Sequence, residues 1–100
     1  MLLVLWEYQV KLDRVEEFES MYRPDGPWTH FFRDCPAFVS ITLWKDLRRP
    51  GRYLVADRWT SEMMYVEFVQ ERATPIAELS ARGARLWTSE REVGRYELRD

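Results

Sequence analysis

Residues 2–10, LLVLWEYQV, are rich in leucine, valine, tryptophan and tyrosine and read as a β-strand. The period then changes. Val15, Phe18 and Tyr22 recur at helical spacing, with Asp13 placed to cap and Glu16 three residues on. RPDGP stops this helix and starts another, with Asp25 or Gly26 as cap and Pro27 in the first helical position. Trp28, Phe31, Phe32 and Cys35 fall on one side of it, and Pro36 ends it, because the residue before a proline avoids the α region. Residues 37–47 form a second strand, Pro50-Gly51 suits a type II turn, and residues 52–59 return as a third strand. Thr60 or Ser61 caps a long helix with Glu62 in its first turn, and Pro75 is expected to kink or break it near residue 74. REVGRYELR, residues 91–99, reads as the closing strand.

The order β-α-β-β-α-β, with an extra short helix after the first, is the α+β, ferredoxin-like plan: an antiparallel sheet with helices on one face. The 100 residues make one domain, 1–100. Alternation puts Val4, Trp6 and Tyr8 on one side of the first strand, with Leu3 and Leu5 on the other. In the second strand it sets Phe38 and Trp44 against Val39, Ile41 and Leu43. In the third it sets Tyr53, Val55 and Trp59 against Leu54 and Ala56. Both faces are apolar, and no helix is left to cover the second. A homodimer packed sheet against sheet is the expected solution.

Composition narrows the partners. Net charge is −2 with no run of five like charges, so neither nucleic acid nor an anionic membrane is an expected partner. Glu7 interrupts the apolar N-terminus, which has no basic flank and falls short of the roughly 20 residues of a membrane span. A cytoplasmic protein is expected. One cysteine, Cys35, and one histidine, His30, are too few for a disulfide framework or a Cys/His zinc site. His30 falls on the polar face of its helix with Arg33 and Asp34, and Cys35 on the apolar side.

The candidate chemistry gathers in RYLVADRWTSEMMYVEF, residues 52–68. Asp57 shares a strand face with Tyr53, Val55 and Trp59, and is the only carboxylate predicted there. Tyr65 lies in the helical stripe facing the sheet, where a buried phenol needs a protein or ligand partner. Arg72 falls in the same stripe. It either pairs internally, with Asp57 as the obvious partner, or meets a ligand, or turns out to solvent. Trp59 is either core or pocket wall. Five tryptophans in 100 residues fit a pocket for a planar aromatic molecule.

Together with VEEFESMY and WTHFF, that segment resembles the antibiotic biosynthesis monooxygenase domain, a family of dimeric α+β barrels, over nearly the whole chain. The resemblance implies a pocket between sheet and helices in each subunit. For family members that oxidise polyketide anthrones with molecular oxygen, it implies no metal and no flavin. Their strand-three asparagine, tryptophan and tyrosine correspond by position to Val55, Trp59 and Tyr65. Val55 cannot hydrogen-bond a substrate oxygen. Heme-degrading relatives use an asparagine where this chain has Tyr8, and a late-helix histidine that residues 61–88 do not contain. The expected function is therefore cofactor-independent oxygenation of a small aromatic or quinol-like compound. Trp59, Tyr65 and Asp57 are its expected catalytic groups, and Tyr8, Trp28, Phe32, Val55 and Arg72 its substrate contacts. The alternative is a non-catalytic dimeric domain of the same fold that binds a small ligand or serves a structural role.

Overall fold

A computed structural model describes all of residues 1–100. Its elements are β1 (Leu2–Val10), a 3-10 turn (Leu12–Arg14), α1 (Val15–Tyr22), α2 (Pro27–Phe32), β2 (Phe38–Lys45), β3 (Arg52–Trp59), α3 (Glu62–Glu71), α4 (Ala73–Ala84) and β4 (Trp87–Glu97). The strands form one antiparallel sheet in the order β2-β3-β1-β4. This is the ferredoxin-like α+β architecture. No helix is long and apolar enough to cross a membrane.

Local chemistry sets most boundaries. Gly51 has φ of +79°, and the Arg52 N–H bonds the Arg49 carbonyl at 3.2 Å, closing the Pro50-Gly51 turn that positions β2 against β3. Ser61, rather than Thr60, caps α3 by accepting the Met64 N–H at 3.2 Å. Asp13 caps nothing: it lies in the 3-10 turn, and α1 begins without a side-chain cap. The long helix breaks at Arg72, two residues earlier than Thr74. A proline ring collides with the carbonyl four residues back, here that of Glu71, and the non-helical Arg72 (φ −109°, ψ 26°) relieves this. Pro75 is then in the first turn of α4, where its missing N–H costs nothing.

Alternation along β1 and β3 holds, with Leu2, Val4, Tyr8, Val10, Tyr53, Val55 and Trp59 buried beneath the helices. In β2 it fails once. A bulge at Val39 pairs Phe38 with Trp59 and Ile41 with Asp57, so Phe38 joins Ile41 and Leu43 on the helix face. Trp44 remains on the outer face, 59 % exposed. The final strand begins four residues before Arg91, at Trp87, as the outer partner of β1.

The core under the helices has two lobes. One centres on Tyr8, Phe18, Tyr22 and Tyr53, the other on Val4, Trp59, Tyr65 and Phe68. Trp6, Phe31, Phe32 and Phe38 pack against both.

Candidate functional site

A cavity of about 240 Å³ opens where the two lobes meet. Its floor is the sheet: Trp6 and Tyr8 from β1, Ile41 from β2, Val55 and Asp57 from β3. Its roof is helical, with Tyr22, Trp28, Phe32, Tyr65, Val69, Ile76 and Ser80. Glu90, Glu92 and Arg95 of β4 complete the wall, and all three are solvent-exposed, so the mouth lies along that edge strand. The volume suits a small planar molecule rather than a drug-sized one, whose pockets run roughly 300–1,000 Å³.

The sequence places Asp57 on this face by simple alternation, and tertiary packing makes it unusual. It is 4 % exposed. No cation is paired with it: Arg72 bridges to Asp34 at 3.1 Å and Arg95 to Glu92 at 3.3 Å. Its hydrogen-bond donor is the Trp59 indole N–H, 2.7 Å from Oδ2. Burial pushes the carboxyl up from 3.8 to about 7, and the Trp59 bond only partly opposes that shift. A carboxyl that titrates near neutrality inside an apolar cavity is suited to accept and return a proton.

Tyr65 faces the same end of the cavity, with its ring 4.8 Å from that of Trp59. Desolvation raises its phenol to about 12, so it is a hydrogen-bond donor at neutral pH. The Arg95 guanidinium lies 5.3 Å from the Tyr65 ring centroid and so keeps that ring in place at the mouth.

The opposite end is also polar. The Tyr8 hydroxyl donates to Glu90 Oε2 at 2.6 Å, and the Tyr22 hydroxyl lies beside it. Burial raises both phenols, so both remain protonated. Gly83 makes room for this arrangement, since a Cβ there would sit 2.3 Å from the Tyr22 hydroxyl oxygen. Gly83→Ala is expected to destabilise the protein by about 1–3 kcal/mol through overpacking. In a Tyr22→Phe background the nearest remaining ring atom is 3.3 Å away, and the same change is expected to cost much less. Urea denaturation of the double-mutant cycle measures the difference; additive effects would contradict the clash.

Among the expected site residues, Asp57, Tyr65, Tyr8, Trp28, Phe32 and Val55 line one cavity. Trp59 does not: at 0 % exposure it lies behind the wall, edge-on to Phe32 and Phe38, and reaches the cavity only through its bond to Asp57. Arg72 lies outside altogether, because the helix break turns it towards Asp34 and the Phe68 face. Asp57 therefore has no arginine counterion from α3. His30 is exposed, and Cys35 is buried in the lobe around Trp59. Sequence reasoning missed Trp6, Tyr22, Ser80 and the three charged residues of β4. Trp6 was legible from its place on the Tyr8 face; the β4 residues depend on strand pairing and a bulge near Gly94 that no local pattern announces.

No family model matches the sequence, and no curated protein matches it. Solved structures do. An antibiotic biosynthesis monooxygenase superposes with a TM-score of 0.72 at 15 % identity, covering 100 % of both chains. SnoaB, a cofactor-independent oxygenase from Streptomyces nogalater, gives 0.70 at 16 % identity, over 99 % of this chain and 93 % of its own. The heme degrader MhuD from Mycobacterium tuberculosis gives 0.66 at 19 %, over 98 % and 95 %. Such identities speak for architecture alone, and on that evidence the chain has the antibiotic biosynthesis monooxygenase fold.

Proposed function

We propose that this protein is a cofactor-independent oxygenase of a small aromatic or quinol-like compound, using molecular oxygen. The observation that carries the reading is Asp57, a buried carboxyl without a cation that titrates at about 7 in an aromatic cavity. In its ionised form Asp57 takes a proton from an acidic carbon or hydroxyl of the substrate. The Tyr65 hydroxyl donates to the oxyanion that develops, and Trp59 holds the Asp57 carboxylate in position. The electron-rich substrate anion gives one electron to oxygen, and the resulting radical and superoxide combine into a peroxide anion. Asp57 returns its proton to the peroxide. For a methylene substrate such as an anthrone, loss of water from the hydroperoxide then leaves the ketone, and one oxygen atom ends in each product. Val55 takes no polar part, and Asp57 two residues along the same strand face supplies the polar group.

The same proposal includes a homodimer. On the outer sheet face Leu3, Leu5 and Leu54 are only partly covered, Trp44 is 59 % and Tyr96 46 % exposed, and a second copy is the covering that a sheet of this plan accepts.

Oxygen uptake with a panel of anthrones and quinols tests the reaction. Uptake is expected with at least one of them, and Tyr65→Phe is expected to lower kcat by about ten- to a thousandfold with little change in the urea midpoint. Full turnover by that variant would remove Tyr65 from the mechanism. No uptake with any of the panel, while the compounds still bind, would favour the non-catalytic binding domain.

A further inference from the structure

The base and the donor at the Asp57 end need no oxygen for chemistry of their own. Trp59 fixes both: its indole N–H is 2.7 Å from Asp57 Oδ2, and its ring is 4.8 Å from that of Tyr65. The other polar atoms of the pair open on the cavity. Asp57 Oδ1 and the Tyr65 hydroxyl have no hydrogen-bond partner in another residue, and neither is among the unpartnered atoms sealed by packing, which belong to Trp28, Thr29 and Trp87. The remaining carboxyls of the lining are engaged, Glu92 with Arg95 at 3.3 Å and Glu90 with the Tyr8 hydroxyl at 2.6 Å. Asp57 is thus the buried base of this end, and Tyr65 its free phenol donor.

A buried carboxylate and a phenol on one small cavity suit enolisation. The carboxylate takes a proton from the carbon beside a carbonyl, while the phenol donates to the carbonyl oxygen as it gains charge. A single base also returns that proton to a different carbon where both carbons lie within its reach. The α and γ carbons of a β,γ-unsaturated ketone in one ring meet that condition.

We propose a second activity for this end of the cavity: isomerisation of small cyclic β,γ-unsaturated ketones to their conjugated isomers, with Asp57 as the catalytic base and Tyr65 as the oxyanion donor. The Asp57 carboxylate takes the α proton, and the electron pair of the broken C–H bond passes into a dienolate whose oxygen accepts from Tyr65. Asp57 then gives the same proton to the γ carbon, the double bond moves into conjugation with the carbonyl, and both side chains are left as they began. No electron leaves the substrate, so no oxidant is consumed. The apolar lining of Trp6, Phe32, Val55 and Ile76 holds the ring and limits exchange of the proton with water. A volume of about 240 Å³ suits a monocyclic or bicyclic ketone. The proposal rests on the base and donor of the oxygenation reading, but it calls for a ketone and no oxygen.

The test is 3-cyclohexen-1-one under nitrogen, with the conjugated enone followed by its ultraviolet absorbance. The wild-type protein is expected to form it at least about 100-fold faster than Asp57→Asn and about tenfold or more faster than Tyr65→Phe. Asparagine keeps the acceptor for Trp59, so the first variant is expected to fold, and an unchanged circular dichroism spectrum checks this. In heavy water the product is expected to keep part of the substrate's α hydrogen at its γ carbon, because Asp57 is 4 % exposed and passes the proton directly. Complete deuteration at that carbon, or equal rates in wild type and Asp57→Asn, would overturn the proposal. Oxygen uptake with the anthrone and quinol panel but no isomerisation would overturn it alone. Isomerisation without uptake would support it and sink the oxygenation reading, and failure of both reactions would remove Asp57 as a base.

Discussion

Asp57→Asn is expected to lower turnover by about 10²–10⁴-fold and, above pH 7, to make the protein more stable than the wild type. Both effects come from one property. The folded chain keeps this carboxyl protonated up to about pH 7, whereas the unfolded chain ionises it near its usual 3.8. Between about pH 4 and 7 the folded state therefore binds more protons, and stability falls as pH rises through that window. Carrying the group from 3.8 to about 7 corresponds to about 4 kcal/mol, absent below pH 4 and fully present above pH 7. Asparagine keeps the acceptor for Trp59 but never ionises. Urea denaturation at pH 5 and pH 8.5 should show a small difference between variant and wild type at the lower pH, and a gain of up to about 4 kcal/mol at the higher. A variant no more stable at pH 8.5 would mean that Asp57 carries no buried charge. The wild-type rate should rise through an inflection near pH 7, because the ionised form is the base.

Trp59→Phe tests the other half of the arrangement. The indole does not line the cavity itself; it packs behind Phe32 and Tyr65 and donates to Asp57 Oδ2 at 2.7 Å. That bond favours the ionised carboxyl, so its loss raises the Asp57 pKa further. A hydrogen bond to a charged group is worth about 1.5–3 kcal/mol, which moves the inflection of the pH–rate profile upward by about one to two pH units. At pH 7 the rate falls, and at pH 9 much of it returns. A purely structural tryptophan would lower the rate at every pH alike. The substitution also leaves a void among Phe32, Phe38, Tyr65 and Phe68, so a stability loss of about 1–3 kcal/mol accompanies it.

The oxygenase reading places its base at Asp57 and so asks for no polar group at Val55. Val55 and Asp57 are both buried, and burial is what raises the Asp57 carboxyl.

Periodicity alone was enough for the element order, the ferredoxin-like plan, the helix-facing side of β1 and β3, and the turn at Pro50-Gly51. Each of these depends on interactions within a few residues: alternation, a left-handed glycine, a serine cap. It also sufficed to place Asp57, Val55 and Tyr65 towards one another, since strand and helix faces follow from spacing. Three features were settled only by tertiary packing. The bulge at Val39 moved Phe38 to the other face, because its pairing with Trp59 is a contact across 21 positions that no local rule contains. The break at Arg72 sent that side chain to Asp34, leaving Asp57 without a counterion. The pairing of β4 with β1 brought Glu90 to Tyr8 from 82 residues away and made the far end of the cavity polar. Charge, burial and protonation at the site are sums over such distant neighbours. The sequence by itself placed Tyr8, Val55, Asp57 and Tyr65 on the faces that meet at the cavity; the folded chain decided that Trp59 lies behind its wall and that Asp57 is buried without a paired cation, because those depend on neighbours distant in sequence.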